Sequence, residues 1–172
     1  MTKIVTHIDC PKEWESKSDW DSHAPLLWVA INHNNKGNMI YEFGCGNGST
    51  PLLSLQQRFN SFETNKEWAD KFIHTVDIDS YFDIPFPSMF HYGWELGVLF
   101  IDCAPGEIRK DLIDKWKDEA KVIVVHDSEK SSQFCYDLEP TLSQFEYRLD
   151  YEPVGKPHTT IISRKINVCD WI

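Results

Sequence analysis

Two short apolar runs, Val98–Asp102 (VLFID) and Val122–Val125 (VIVV), limit the fold of this 172-residue chain more than any other feature. Both are nearly continuous β-formers without polar alternation, the pattern of strands covered on both faces. Between them, EIRKDLIDKWKDEA places Ile108, Leu112, Ile113 and Trp116 at helical spacing with charge on the remaining positions. A strand, an amphipathic helix and a second strand make the repeating unit of a parallel sheet with crossover helices. The chain is therefore expected to be α/β, with these two strands at its centre.

Further strands are expected near Met39–Phe43, Ser61–Glu63 and Ile73–Val76. His23–His33 (HAPLLWVAINH) reads as a helix with Pro25 in its first turn and Leu27, Ala30 and Ile31 on one face, closing at Asn34-Asn35-Lys36-Gly37. The tail differs: FEYRLDYEP and HTTIISRK are β-rich runs separated by Pro153, Gly155 and Pro157, which suggests an antiparallel pair finishing the sheet. One domain accounts for this length, with residues 1–37 as a helical cap and 38–172 as the sheet core.

The formal net charge is −10, and basic residues form only short pairs such as Arg109-Lys110 and Arg164-Lys165, so a nucleic acid backbone is a poor expected partner. Five cysteines without a C-x-x-C pair suggest neither a disulfide framework nor a zinc site. No apolar run approaches the roughly 18 residues of a membrane span and the N-terminus lacks a signal core, so a cytoplasmic protein is expected, with no membrane partner.

The strand ending at Phe43 runs into Gly44-Cys45-Gly46-Asn47-Gly48-Ser49 and then PLLSLQQRF, a strand–loop–helix element. Glycines there permit a tight turn and close approach of backbone amides to a ligand; a plain turn and a dinucleotide loop both fit. Glu42 shares the side of Gly44 along the strand, and a carboxylate aimed at the loop repels a pyrophosphate while attracting an ammonium or sulfonium group. Glu63, 19 residues after Gly44, stands at the end of the second strand, where a carboxylate meets ribose hydroxyls in nucleoside-binding folds.

EFGCGNGST resembles the E-x-G-x-G-x-G motif of class I S-adenosylmethionine-dependent methyltransferases. SFETNKEWADKF, LFIDCAPGEIRKDLIDKW, KVIVVHDSE and PHTTIISRK are similar to that family's later strand motifs, and SHAPLLWVAI to the helix before its glycine strand, so the likeness runs from about Ser22 to Arg164. It is similar in particular to a subgroup of small methyltransferase-like proteins with H-x-P-L-L, G-S-T-P-L-L, D-x-A-P-G-E-x-R and H-D-[ST]-E segments. The resemblance implies a Rossmann-like, seven-stranded, mostly parallel sheet with an antiparallel last strand and helices on both faces. It implies S-adenosylmethionine as cofactor, with Gly44, Gly46, Gly48 and Ser49 along it, Glu42 near its amino group and Glu63 on the ribose. Asp77 or Asp79 would meet the adenine.

Ligands of open α/β sheets bind beyond the carboxyl ends of the strands, which places Asp102, His126 and Asp127 at the edge of the glycine turn. Three readings of them stay open. His126 serves as general base; or Asp102 and Asp127 hold a divalent cation such as Mg that acidifies an acceptor hydroxyl; or Asp127 with Ser128 caps a helix and His126 is a wall residue. Arg109 pairs with Glu107 at the surface or contacts substrate, and His23 is either a helix-start residue or an acceptor contact.

The asparagine-proline-proline-aromatic signature of amino-group methyltransferases is replaced by IDCAPGE. O-methylation of a small-molecule or carbohydrate hydroxyl is therefore the first expectation. Its rivals are a non-catalytic S-adenosylmethionine-binding module, an NAD-dependent oxidoreductase reading Gly44–Ser49 as G-x-G-x-x-S, and lyase chemistry at the sulfonium.

Overall fold

The computed structural model describes residues 1–34, 38–72, 76–78, 95–129 and 136–172, with backbone alone for residues 34 and 76–78. Its strands are β1 (Thr2–Val5), β2 (Met39–Phe43), β3 (Phe59–Glu63), β4 (Val76–Ile78), β5 (Leu96–Ile101), β6 (Val122–His126), β7 (Tyr147–Tyr151) and β8 (Thr159–Ser163). They form one sheet in the order β1-β7-β8-β6-β5-β2-β3-β4. Every neighbouring pair is parallel except β6–β8 and β7–β8, so β8 alone runs against the rest.

The seven strands expected from sequence are β2 to β8, and β8 is the expected antiparallel last strand. The first 37 residues contain more than a helical cap, because β1 adds an eighth strand in register with β7, from Thr2 opposite Arg148 to Val5 opposite Tyr151. Its four residues alternate exposed and half-buried, as an edge strand's do. No strong period-2 signal marks so short a run. Of the expected Ile73–Val76 strand, Val76 begins β4, while residues 73–75 and Asp79 lie outside the described residues.

Each strand's alternation assigns its side chains to one of two cores. Met39, Tyr41, Phe43, Leu99, Ile101, Ile123 and Val125 face one side, where helix α4 (Arg109–Trp116) inserts Leu112, Ile113 and Trp116. Helix α5 (Glu139–Leu142) adds Leu142 there. Ile40, Val98, Phe100, Val122 and Val124 face the other side, covered by α1 (Ala24–Asn34) through Leu26, Leu27, Val29, Ala30 and Ile31. Leu26, Leu27, Val29, Ala30 and Ile31 are all buried, so α1 lacks a broad polar face and packs as an internal helix. The EIRKDLIDKW apolar periodicity survives, with Ile108 against the α4 core and Glu107, Lys110, Asp111 and Asp114 outward, while Arg109 is buried.

β5 and β6 are buried along their whole length, which makes them the centre their composition predicted. The site follows from the same alternation. Glu42, Asp102 and His126 continue the α1-facing register of Ile40, Phe100 and Val124, so all three reach the α1 side at the carboxyl ends of adjacent strands.

Candidate functional site

At Gly44 the chain turns with φ +91° while crossing the backbone that leaves β5. A Cβ there would lie 2.5 Å from the Asp102 carbonyl oxygen and 2.5 Å from Cys103 Cα. Only glycine meets both demands without displacing β5. The turn is closed by Gly46 N–H, which donates to Thr50 Oγ1 at 2.8 Å, and by Thr50 N–H, which donates to the Gly46 carbonyl at 3.0 Å. Helix α2 (Thr50–Leu53) follows with Pro51 in its first turn and is shorter than PLLSLQQRF suggested, and helix α3 (Lys66–Ala69) comes after β3.

The fully buried Glu42 lies beneath this turn. Ser49 Oγ donates to Oε1, and Oε2 accepts from Thr50 Oγ1 at 2.8 Å and from Ser61 Oγ at 2.5 Å. Burial raises its carboxyl to about 7, a rise that the three hydroxyl donors reduce and the nearby Asp102 reinforces. The sequence suggested a carboxylate aimed into the loop; instead Glu42 ties β2, the turn and β3 together through hydroxyls. Ser61 could have been found from its polar character inside a buried strand, and Thr50 from its place one residue past the turn.

Glu63 closes the opposite side of the turn. Its Oε2 accepts from the Cys45 amide at 3.2 Å and the Cys45 thiol at 3.6 Å, and its Oε1 accepts from the Asn65 amide at 2.8 Å. Cys45 is a buried thiol raised to about 12 by burial and by the Glu63 and Glu42 charges. Residues Trp20 and Asp21 press on the far end of the turn, since a Cβ on Gly48 would come within 2.8 Å of Asp21 Cβ. Asp77 pairs with Phe62 in the sheet, next to the Glu63 strand end.

Beyond the turn, His23, Asp102, His126, Asp127 and Arg109 come together. His126 Nδ1 lies 3.2 Å from Asp102 Oδ1 and 3.5 Å from Asp127 Oδ1, and its Nε2 is 2.8 Å from Ser22 Oγ. Burial pulls this imidazole's pKa down, but the Asp102 charge and hydrogen bond and the Asp127 charge outweigh it, and the net shift is upward. Asp102, correspondingly, is held well below the usual carboxylate range: burial pushes it up and His126, Arg109 and His23 more than reverse this.

Arg109 corrects the sequence reading most plainly. It is no surface ion pair with Glu107: 4% exposed, it donates to Asp102 Oδ1 at 3.1 Å, Asp127 Oδ2 at 3.0 Å, and the Cys103 and His126 carbonyls at 3.1 and 2.6 Å. One guanidinium thus joins the loops after β5 and β6, and its fork geometry suits this use. Both carboxylates considered as a Mg pair are engaged by it. Asp127 itself sits at φ +50°.

His23, the residue before α1, is 1% exposed and packs edge-on to His126 with ring centroids 4.7 Å apart. Neither of its ring nitrogens has a hydrogen-bond partner among the described residues, and Asp102 Oδ2 stands 3.9 Å from Nδ1. Burial, with the neighbouring His126 charge, lowers its pKa to about 3, so the ring is neutral in ordinary conditions. The structure therefore gathers the expected catalytic residues at one point, with Ser22 as a member that sequence reasoning missed; as a small polar residue ahead of a helix, it carried no distinguishing signal.

No family model matches the chain, and no curated protein matches it. Solved structures do match in shape. An rRNA methylase from Streptococcus thermophilus aligns with 83% of this chain and 96% of its own, at 13% identity and a TM-score of 0.58. An O-methyltransferase from Bacillus cereus in complex with SAH aligns with 89% and 84%, at 12% identity and a TM-score of 0.59. This is the class I methyltransferase fold. A third match, an O-methyltransferase of tomaymycin synthesis from Streptomyces achromogenes in complex with SAM, covers 91% of both chains at 14% identity and a TM-score of 0.57. In open α/β sheets ligands bind outside the carboxyl ends of the strands, and Gly44, Asp102 and His126 lie at that edge of this sheet. No helix among the described residues is long and apolar enough to cross a membrane.

Proposed function

We propose that the protein is an S-adenosylmethionine-dependent methyltransferase that methylates a hydroxyl of a small-molecule or carbohydrate acceptor. One observation carries the reading: the glycine turn and the His23–Asp102–His126 cluster share one face and one edge of the sheet, so a ligand on the turn abuts a second, polar position.

The residues present suit this cofactor. Among the described residues a Cβ at Gly46 would meet only Ser49 Oγ, at 3.5 Å, which leaves the backbone of the turn open to a ligand. In this reading Gly44, Gly46, Gly48 and Ser49 line the methionine and ribose portions, Glu63 takes the ribose hydroxyls, and Asp77 lies towards the adenine. Glu42 acts one layer down, holding the hydroxyls of Ser49 and Thr50 in place. S-adenosylmethionine supplies an electrophilic methyl group; the chain's own task is to align the acceptor and ease loss of its proton.

The acceptor hydroxyl faces His23, whose neutral, unpartnered ring can accept a hydrogen bond from it. The Asp102–His126 pair takes the proton, with Asp127 and Arg109 fixing the geometry and Ser22 holding the far ring nitrogen. Net charge −10 supports a small acceptor over RNA.

Isothermal titration of the folded protein with S-adenosylmethionine and S-adenosylhomocysteine tests the cofactor, and no heat from either sinks the reading. Labelled-methyl transfer into small-molecule, RNA and protein fractions of an extract tests the acceptor. Label entering RNA alone would replace the acceptor class. Turnover unaffected by Asp102→Ala and His126→Ala would instead favour a binding module.

A further inference from the structure

His23 presents a problem that the proton-transfer reading does not resolve. Burying a polar ring whose two nitrogens find no hydrogen-bond partner among the described residues costs stability, and such groups in native proteins have a reason to be there. The reason is close by. One ring nitrogen of His23, one of His126 and one carboxylate oxygen of Asp102 lie within 4.8 Å of one another, with both imidazoles buried.

We propose that His23, Asp102 and His126 form a binding site for one borderline divalent cation of the Zn2+, Fe2+ or Co2+ kind. Two imidazole nitrogens and one carboxylate oxygen are the donor set those ions prefer, whereas Mg2+ calls for oxygen donors. The ion suggested by sequence, Mg held by Asp102 and Asp127, is thereby replaced in both ligands and metal class. Donor atoms around such an ion stand roughly 3–3.5 Å apart, so a separation of 4.8 Å must close by roughly 1.5 Å. Side-chain torsions at His23, which precedes α1, can provide that movement.

The surroundings are those of a ligand set. Ser22 Oγ lies 2.8 Å from His126 Nε2; with Nε2–H donating to that hydroxyl, Nδ1 is the nitrogen left to bind the ion, which would take the place of the proton Nδ1 shares with Asp102. Arg109 orients the Asp102 carboxylate by donating to Oδ1, while Oδ2 is turned to His23. With both rings neutral as ligands, Asp102 and Asp127 against Arg109 leave one net negative charge around the ion, which favours a cation despite the guanidinium. Three protein donors leave coordination positions for a further ligand. Using them for the acceptor oxygen rests on the methyltransferase reading, and would transfer the easing of proton loss from the Asp102–His126 pair to the ion; the site itself does not depend on that reading.

The test is titration of untagged, metal-stripped protein with Co2+, followed by its visible ligand-field bands, with Zn2+ and Mg2+ as competitors and S-adenosylhomocysteine binding measured in parallel. One Co2+ per chain is expected, displaced by Zn2+ and not by Mg2+. His23→Ala and Asp102→Asn should each abolish the bands, and Ser22→Ala should weaken binding about tenfold or more.

A featureless titration of the wild type would overturn the site, as would Co2+ binding unaltered by His23→Ala, which would place the ion at exposed histidines such as His7. If His23→Ala or Asp102→Asn does not fold, Ser22→Ala decides: unchanged Co2+ affinity in that variant also overturns it. In the wild type, no Co2+ binding with S-adenosylhomocysteine binding kept removes only this site. The opposite pattern removes only the methyltransferase reading.

Discussion

Ser22 Oγ and His126 Nε2 share a buried hydrogen bond of 2.8 Å across 104 positions of sequence. The residue at the end of β6 is thereby anchored by a segment that precedes every central strand. Ser22→Ala leaves a buried ring nitrogen unsatisfied and should cost about 1–3 kcal/mol in urea unfolding. An unchanged denaturation midpoint would show that another group satisfies the nitrogen.

Arg109 should be among the residues least tolerant of change. Arg109→Met removes the partner of two carboxylates at once, and breaking a buried ion pair from one side costs about 3–5 kcal/mol. Arg109→Lys restores the charge without the fork that reaches both carboxylates and two carbonyls, so it should recover only part of that loss. Equal melting temperatures for the lysine variant and the wild type would mean that charge alone matters here.

Glu42 should make stability fall with pH. Its carboxyl titrates at about 7 in the folded chain against 4.5 for an ordinary glutamate, so the unfolded chain ionises first and the native state loses ground as pH climbs between those values. The loss is on the order of 3 kcal/mol and is complete above about pH 7. Glu42→Gln cannot ionise and should flatten this part of the profile. Comparing urea unfolding of both proteins at about pH 5 and about pH 8 isolates the effect, and a variant profile with the wild-type slope would assign it elsewhere.

Gly44 and Gly46 should separate folding from ligand binding. Gly44→Ala combines a left-handed φ with a Cβ driven into the Asp102 carbonyl, and strain plus overpacking sum to roughly 3 kcal/mol or more. Gly46→Ala has only Ser49 Oγ to meet among the described residues, so its stability should stay within about 1 kcal/mol of wild type while the methyl group fills ligand space. Thermal melts and S-adenosylhomocysteine titration of the two variants are the measurement. Full affinity in Gly46→Ala would mean that the cofactor does not approach that glycine.

The central strands were legible because burial on both faces leaves a composition that nothing else produces: VLFID and VIVV could only be interior. Gly44 was legible because its backbone demand permits one residue type. Glu42 was visible as an anomaly, yet its direction was not, since the donors that surround it come from Ser49, Thr50 and Ser61, and only the β2–β3 register brings Ser61 beside it. Arg109 was misjudged for a similar reason. Its pattern in EIRKDL is that of an exposed helix start, and the two loops that enclose it meet only in three dimensions. β1 escaped notice because a four-residue edge strand is stabilised by β7, not by its own periodicity.

The two-sided sheet also bears on how this protein could be altered. Along β2, β5 and β6 the even-numbered end positions 42, 102 and 126 belong to the site, and their odd-numbered neighbours 43, 101 and 125 belong to the opposite core. A library that randomises only the odd positions would sample packing around α4 with the chemistry held constant. One confined to 42, 102 and 126 would alter the site with the opposite core unchanged, so along these three strand ends the parity of a residue number separates changes to the chemistry from changes to the packing around α4.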